Sequence, residues 1–122
     1  MSFGEYIKNK RIKMGISQTK AAKMYGISLS YLSGIERSLR SSPTNEVVEK
    51  IADTLELNKK ERFRLYDLAA ESKMPPALAD DLVEYIYQNP TIRDILRYSM
   101  ECKMKEKDWD RVFAFIKMNY YY

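Results

Sequence analysis

The sequence has no histidine and a single cysteine, Cys102, among its 122 residues. Histidine is the commonest general base and the commonest metal ligand in proteins, so its absence disfavours most catalytic and metal centres. A lone cysteine forms no intramolecular disulfide, and without histidine it forms no typical zinc or thiol-protease site. The chain also lacks a glycine-rich phosphate loop. We therefore expect a protein that is not an enzyme and that uses no cofactor or metal ion.

Long apolar runs are missing as well. No stretch approaches the ~20 consecutive apolar residues of a transmembrane helix. The N-terminal segment MSFGEYIKNK has no apolar run of the kind that signal peptides carry. We expect no membrane partner, and the single cysteine suits a reducing compartment, so the expected location is the cytoplasm.

What the sequence does contain is a localised excess of positive charge. The whole chain has a net charge of +4, and 45% of its residues are apolar, which is enough for a folded core. Residues 1–43 carry eight basic and two acidic side chains, a net charge of +6, whereas the remainder is slightly acidic. A basic patch confined to one part of a chain is typical of proteins that bind polyanions, although a solvated basic face gives the same count.

Apolar residues recur at helical spacing, and no strand-like alternation is evident. The pattern predicts an all-α fold with five helices in residues 1–74, followed by three helices in residues 75–122. Capping chemistry sets the helix boundaries, because serine, threonine and asparagine precede helices and glycine ends them. The predicted N-caps are Ser17, Ser28, Thr44 and Asn58, and the predicted ends of the first two helices are Gly15 and Gly26.

The fifth helix, after Asn58, has an apolar surface wide enough to pack on two neighbours.

The second half of the chain is divided from the first by a proline break. Met74-Pro75-Pro76 then interrupts the pattern and is the predicted domain boundary. Beyond it we expect helices that begin at Ala77, at Asn89-Pro90 and at Asp108. The apolar residues expected to face inward on the first of these are Leu78, Leu82, Tyr85 and Ile86.

The second and third helices are short, and only a tight turn separates them. Gly26 supplies the positive φ of this turn, and Ala22 is small where the two helices approach. Leu32 and Ile35 fix the third helix to the core. The residues left facing outward on it are Leu29, Ser30, Ser33, Gly34 and Arg37. A helix presented in this way fits the DNA major groove, where base edges carry a readable code.

The segment ISQTKAAKMYGISLSYLSGIERSLRSSPTNEVVEKIADTLEL resembles the Cro/phage-repressor (XRE) class of helix-turn-helix domains. The resemblance covers roughly residues 3–70. It is carried by Ser-Gln at the start of the second helix, Ala-Ala inside it, Gly-Ile-Ser at the turn, Leu-Ser-Gly-Ile-Glu in the third helix and Pro-Thr before the fourth. It implies sequence-specific binding of double-stranded DNA and transcriptional regulation, with repression by promoter occupancy as the expected mode.

The resemblance also implies roles for individual residues. Gln18, Arg37 and Arg40 match positions that contact phosphate, and Glu36 matches an acidic residue with a structural role. Leu29, Ser30 and Gly34 match base-facing positions, with Ser33 nearby. The predicted DNA-binding residues are Gln18, Thr19, Ser28, Leu29, Ser30, Tyr31, Ser33, Gly34, Arg37 and Arg40. The basic residues of the first helix, expected to form a mostly solvated face, are Lys8, Lys10, Arg11 and Lys13.

The segment departs from the class in three places, one of which is Lys20 at a position of the second helix where glutamate is common. Ser38 stands where glycine is common, and the stretch from Glu36 to Pro43 is one residue longer than the commonest spacing. The outward positions carry no Asn, Gln or Lys for bidentate base recognition. We therefore expect modest specificity, helped by DNA shape or by Arg37, and a fold that has lost DNA binding is the alternative.

The region after residue 75 is near neutral and rich in large apolar side chains, which is typical of a dimerisation or partner-binding module. The residues predicted to form a homodimer or partner contact are Leu82, Tyr85, Ile86, Trp109, Phe113 and Ile116. Two-fold dimers of such domains reach paired half-sites on DNA. Two alternatives remain: these helices close the core of one domain, or they bind a second protein in the manner of an antitoxin.

Overall fold

The computed structural model of the chain describes residues 1–121 and contains α-helices but no strand among those residues. This confirms the predicted all-α fold, with five helices before the proline break and three after it. The helices within the described range are α1 (Phe3–Met14), α2 (Gln18–Tyr25), α3 (Leu29–Glu36), α4 (Asn45–Thr54), α5 (Lys59–Glu71), α6 (Asp80–Gln88), α7 (Pro90–Glu101) and α8 (Glu106–Asn119).

Capping hydrogen bonds begin several of these helices where the sequence predicts them. The side chains of Ser17, Ser28 and Asn58 accept from the backbone N–H three residues later, at 3.1, 3.1 and 2.8 Å. Thr44 precedes α4 as predicted, but its side chain makes no capping hydrogen bond within the described chain. Ser2 caps α1 at 3.2 Å and forms a capping box with Glu5, a start signal that the predicted N-caps do not include. Local hydrogen bonding therefore fixes where α1, α2, α3 and α5 start.

Both α1 and α2 end on a glycine in the left-handed conformation. Gly15 has a φ of 72° and Gly26 a φ of 75°, and each backbone N–H donates back to carbonyl oxygens of the preceding helix. Residues with a Cβ adopt this conformation at a cost, so glycine is favoured at both positions. The predicted helix ends are confirmed.

An apolar core joins α1, α2, α3, α4 and α5. α5 packs against both α1 and α4, which confirms the expectation drawn from its wide apolar surface. The buried members of the core are Phe3, Ile7, Ala21, Ala22, Tyr25, Leu32, Ile35, Val48, Ile51, Ala52, Leu55, Leu57, Leu65, Leu68 and Ala69. This core fixes α3, the predicted recognition helix, on its inner side.

α1 approaches α3 closely at Gly4. A methyl group on Gly4 would lie 1.9 Å from the carbonyl oxygen of Ile35, far inside any allowed contact. The sequence pattern does not reveal this requirement, because glycine inside a helix usually signals only lower helix propensity. Close packing of α1 on the end of α3 therefore depends on a residue without a side chain.

Two of the C-terminal helices begin elsewhere than predicted. α6 begins at Asp80 rather than Ala77, because the N–H of Ala77 donates to the carbonyl oxygen of Ala70 at 3.1 Å and holds the segment outside the helix. α8 begins before Asp108, whose carboxylate accepts from the backbone N–H of Lys105 at 2.9 Å. Asp108 therefore lies within the first turn of α8. α7 begins at Pro90, as predicted.

The chain forms two compact units, Met1–Leu82 and a second unit that begins at Val83. The division falls within α6, after the predicted boundary at Met74-Pro75-Pro76. The limits of the functional domains, 1–74 and 75–122, stay a prediction.

The second unit encloses little of its own apolar surface. Among residues 83–121, only Ser99 is buried. The prediction that Leu78, Leu82 and Tyr85 face inward is wrong: Leu78 and Leu82, at the end of the first unit, and Tyr85, in the second, are exposed, and Ile86 is half-buried. The three short helices of the C-terminal half have too little interior to enclose large side chains, and Leu78 lies before the first of them.

Candidate nucleic-acid interface

The turn between α2 and α3 packs the two helices against each other. Gly26 leaves α2 in the left-handed conformation, and the N–H of Ile27 donates to the carbonyl oxygen of Ala22 at 3.1 Å. Leu32 and Ile35, on the inner side of α3, have no exposed surface. The arrangement is a helix-turn-helix in which the core holds α3 from one side only.

The N-terminal half of α3 presents the surface predicted to read bases. Leu29 is 46% exposed, Ser30 is exposed, and Tyr31 and Ser33 are half-buried. Ser28 is exposed as well, and its hydroxyl oxygen accepts from the N–H of Tyr31. The hydroxyl proton of Ser28 can still be donated to an external acceptor. This end of α3 therefore combines one apolar contact group with several hydroxyl groups.

Gly34 is buried, whereas the sequence predicts an outward-facing position. The side chain of Arg40 lies across it, so that a Cβ on Gly34 would be 3.2 Å from Arg40 Cγ. The Arg40 guanidinium carbon in turn lies 5.8 Å from the ring centroid of Tyr31, which is a cation–π distance. The surface at the middle of α3 is therefore formed by Arg40 rather than by bare backbone.

A buried ion pair ties α1 to the end of α3. Arg11 Nε donates to Glu36 Oε2 at 2.8 Å, and Arg11 Nη2 donates to Oε1 at 2.9 Å. Arg11 Nη1 donates to the carbonyl oxygen of Ile16 at 2.9 Å. The hydrogen bonds to Glu36 raise the pKa of the Arg11 guanidinium, while burial opposes the shift. Glu36 therefore has the structural contacts that the resemblance implies.

The same pair corrects part of the prediction of a solvated basic face on α1, where Lys8 and Lys13 are exposed as predicted. Arg11 is buried, and Lys10 is half-buried and paired with Glu61 on α5. Arg11 lies one helical turn after Ile7, on the side of α1 that faces the core. That spacing, together with the acidic residue at the end of α3, is the signal that could have identified the pair.

Gln18 is held by this buried pair at the start of α2. Its Nε2 donates to Glu36 Oε1 at 3.0 Å, and its side chain is half-buried. An amide nitrogen has two hydrogens, so one remains for an acceptor outside the protein. Thr19, the next residue, is exposed. The contact with Glu36 fixes the orientation of the Gln18 amide without using all of its donors.

Tyr25 lies in the core close to this ion pair. Its ring has no exposed surface, and its hydroxyl has no hydrogen-bond partner within the described chain. Burial raises the pKa of Tyr25 to about 12, the charge of Glu36 adds to the rise, and Arg11 opposes it. The hydroxyl is therefore neutral at physiological pH and contributes packing rather than charge.

Exposed basic residues lie on α2 and after α3. Lys20 and Lys23 are exposed on α2, and Arg37 and Arg40 are exposed beyond the end of α3. Arg37 Nε donates to the carbonyl oxygen of Ser33 at 3.4 Å, which leaves most of the guanidinium available. Since Arg11 is neutralised internally, these side chains carry much of the exposed positive charge of the helix-turn-helix.

The residues predicted for dimer or partner contact lie on α6 and α8. Leu82, Tyr85, Phe113 and Ile116 are exposed, and Ile86 and Trp109 are half-buried. An apolar cleft within the second unit is lined by Asp94, Ile95, Tyr98, Ser99, Met104, Trp109 and Val112. Cys102 is exposed.

Across residues 1–121, no group of three or more Cys, Asp or Glu side chains is placed to hold a metal ion. None of the helices in that range combines the length and apolar character needed to cross a membrane.

Comparison with known proteins identifies related helix-turn-helix proteins. The helix-turn-helix family model HTH_3 matches residues 7–61, which contain α2, the turn and α3. The HTH-type transcriptional regulator SinR of Bacillus licheniformis is 30% identical over 111 residues, which span 86% of this chain and 98% of that protein. SinR of Bacillus subtilis (strain 168) is 36% identical over 55 residues, which are 45% of this chain and 50% of the relative.

A solved structure titled as a complex of the SinR and SinI proteins is similar over 95% of each chain, with 23% identity and a TM-score of 0.49. The match to SinR of Bacillus licheniformis extends beyond the helix-turn-helix to most of the chain. The chain therefore belongs to the XRE class of helix-turn-helix DNA-binding transcriptional regulators, in the family that includes SinR.

Proposed function

We propose that the chain represses transcription as a homodimer that occupies two half-sites of a promoter with its helix-turn-helix units. The observation that carries this proposal is the presentation of α3. Its inner side is fixed by the core, and its N-terminal half is exposed beside basic side chains. A helix supported in this way can lie in the major groove.

Phosphate contacts orient the domain on the duplex. Gln18 is fixed by Glu36 with one amide hydrogen available, and Thr19 lies exposed beside it. Arg37 presents a guanidinium at the other end of α3. Donors at both ends of a recognition helix can hold the two phosphate backbones that flank the groove. We assign phosphate binding to these three residues and to the hydroxyl of Ser28.

Base contacts come from the exposed part of α3. Leu29 can meet a thymine methyl group, and the hydroxyls of Ser30 and Ser33 can bond several different bases. Tyr31 contributes chiefly through its contact with Arg40. Gly34 adds no side chain of its own and lies beneath the side chain of Arg40.

Dimerisation is assigned to the C-terminal helices. Tyr85, Phe113 and Ile116 are exposed on the second unit, where large apolar groups concentrated on one surface indicate an interaction site, and Leu82 is exposed at the end of the first unit. Two-fold association would place two recognition helices on half-sites roughly 34 Å apart, one turn of DNA. Each monomer would then contribute one recognition helix to an operator of two half-sites.

A second protein that binds the same surface is the other candidate function. The cleft beside Tyr98, Trp109 and Val112 is almost wholly apolar, as expected for a site that receives an apolar helix. The chain would then act in the manner of an antitoxin, with its C-terminal helices neutralising the bound partner. In either case we propose a DNA-associated, non-catalytic role in the cytoplasm.

Binding to a selected DNA duplex at several salt concentrations tests the proposal. Arg37→Ala should weaken binding across all sequences and reduce the slope of log affinity against log salt by about 1. Gln18→Ala should also weaken binding. Arg64→Ala on α5 is the matched control, since it removes the same charge from an exposed position outside the helix-turn-helix. Unchanged binding by both Gln18→Ala and Arg37→Ala would exclude this surface.

Light scattering of the purified full-length chain tests the assembly. A mass of two chains that falls to one chain in Phe113→Asp supports the homodimer. A strict monomer at high concentration contradicts it, and a second protein that co-purifies at a fixed ratio favours the partner function.

A further inference from the structure

We propose that Arg40 reads a guanine in the major groove and that Gly34 and Tyr31 position its guanidinium to do so. The inference rests on the proposed function, because it requires α3 to lie in the groove. It differs from the phosphate contact that the family resemblance implies for this residue.

α3 itself lacks the side chains that distinguish bases most sharply. Its exposed or half-buried outer residues are Leu29, Ser30, Tyr31 and Ser33. A hydroxyl group can donate a hydrogen bond to almost any base or accept one from it, and a leucine side chain recognises only the methyl group of thymine. Strong discrimination needs a planar side chain with two parallel donors or a donor and an acceptor. The guanidinium of Arg40, whose side chain lies across Gly34 at the middle of α3, supplies such a group on this surface.

The backbone after α3 returns toward the helix. Ser38 adopts a φ of 61°, in the left-handed region, and its N–H donates to the carbonyl oxygen of Ile35 at 2.9 Å. The N–H of Leu39 donates to the carbonyl oxygen of Gly34, also at 2.9 Å. These bonds reverse the chain, so that Arg40 lies beside the middle of α3. The serine at a position where the class commonly has glycine therefore retains the left-handed turn.

Gly34 and Tyr31 then determine where the Arg40 side chain lies. The aliphatic part of Arg40 crosses Gly34, where even a Cβ would be 3.2 Å from Cγ. The guanidinium carbon is 5.8 Å from the centroid of the Tyr31 ring. Ser30, Tyr31, Gly34, Arg37 and Arg40 line one open groove on this face. A guanidinium held over an aromatic ring keeps its edge donors for a ligand and loses less conformational freedom on binding.

The chemistry selects guanine as the base. Two parallel N–H groups of arginine match the O6 and N7 acceptors of guanine, the commonest specific contact in protein–DNA complexes. Lysine carries a single ammonium charge on a flexible chain and does not reproduce the two parallel N–H donors of arginine. A phosphate contact, by contrast, needs only positive charge, so lysine would preserve most of it. The behaviour of Arg40→Lys therefore separates base recognition from phosphate binding.

The test begins with selection of bound duplexes from random DNA by the full-length protein at one fixed salt concentration. We expect an enriched motif with guanine at one position per half-site. Arg40→Ala and Arg40→Lys should both lose that preference, by about tenfold in relative affinity. Arg37→Ala is the matched control, and it should lower affinity evenly while the motif is kept. Circular dichroism and thermal unfolding verify that each variant is folded.

A base analogue then tests the contact itself. Substitution of 7-deazaguanine at the enriched position removes the N7 acceptor, so wild-type affinity should fall about tenfold, whereas Arg40→Ala should be insensitive. Gly34→Ala should weaken the same preference, because its methyl group displaces Arg40.

The outcomes distinguish this inference from the proposed function. A motif retained by Arg40→Lys, an even loss of affinity in Arg40→Ala, or a motif without guanine overturns the role of Arg40 while DNA binding stands. If the wild-type protein binds no DNA, the proposed function fails and the inference fails with it.

Discussion

Replacement of Glu36 by leucine tests how the structure fixes the recognition helix. Leucine keeps most of the side-chain volume but removes both carboxylate oxygens. Arg11 then loses two hydrogen bonds of 2.8 and 2.9 Å, and Gln18 loses one of 3.0 Å. The positive charge of Arg11 remains inside the protein without its counter-charge.

The expected loss of stability follows from burial. The side chains of Arg11 and Glu36 are 11% and 1% exposed. Removal of one partner from a buried ion pair typically costs about 3–5 kcal/mol, because the other charge stays buried. Arg11 retains its bond to the Ile16 carbonyl oxygen and a little solvent access, so we place Glu36→Leu near the lower limit, at about 3 kcal/mol. The paired change Arg11→Met with Glu36→Leu should cost less than the two single changes added together.

Urea unfolding of the full chain, followed by circular dichroism, measures the loss. Because the chain has two compact units, hydrogen exchange of amides in α3 is measured as well, since it reports on the unfolding of the first unit by itself. Asp53→Ala is the matched control: it breaks an exposed ion pair with Arg62 and should leave stability almost unchanged. A loss below about 1 kcal/mol for Glu36→Leu, or strict additivity in the double variant, would show that Arg11 is not left as an uncompensated buried charge.

Three further predictions concern the first unit. Gly4→Ala should destabilise the fold despite its better helix propensity, because the methyl group meets the Ile35 carbonyl oxygen, and a higher melting temperature would contradict this packing. Tyr25→Phe should leave the urea midpoint unchanged or raise it, since it removes a buried hydroxyl that has no partner in the described chain. The hydrogen bond from Lys10 lowers the pKa of Glu61. The ionised carboxylate therefore stabilises the fold at pH values above the usual glutamate pKa, and this stabilisation is lost as the pH falls through the lowered pKa of Glu61. The stability difference between wild type and Glu61→Gln should therefore shrink toward low pH, and a difference that grows would be inconsistent with the sign of the shift.

The sequence predicted the helices best where capping residues are local. Ser17 and Ser28 precede their helices as expected, because a serine side chain acts on the backbone only three residues away. The start of α6 was missed, since it depends on a hydrogen bond from Ala77 to the carbonyl oxygen of Ala70 in a preceding helix. Such a contact leaves no signal in the local sequence.

The candidate site was predicted less completely than the fold. The exposed position of Leu29 follows from helical periodicity alone. Periodicity also places Arg11 on the core side of α1, but the burial of its charge depends on Glu36, and the burial of Gly34 depends on Arg40. Periodicity gives the face on which a residue lies, but it does not show which distant side chain covers that face.

Backbone chemical-shift mapping with a selected duplex shows whether α3 enters the major groove, since it reports on every part of the chain at once. If α3 enters the groove, the largest changes will occur at Gln18, Thr19 and residues 28–37, and they will diminish as salt is raised. Changes confined to residues 83–121, with α2 and α3 unaffected, would contradict the account.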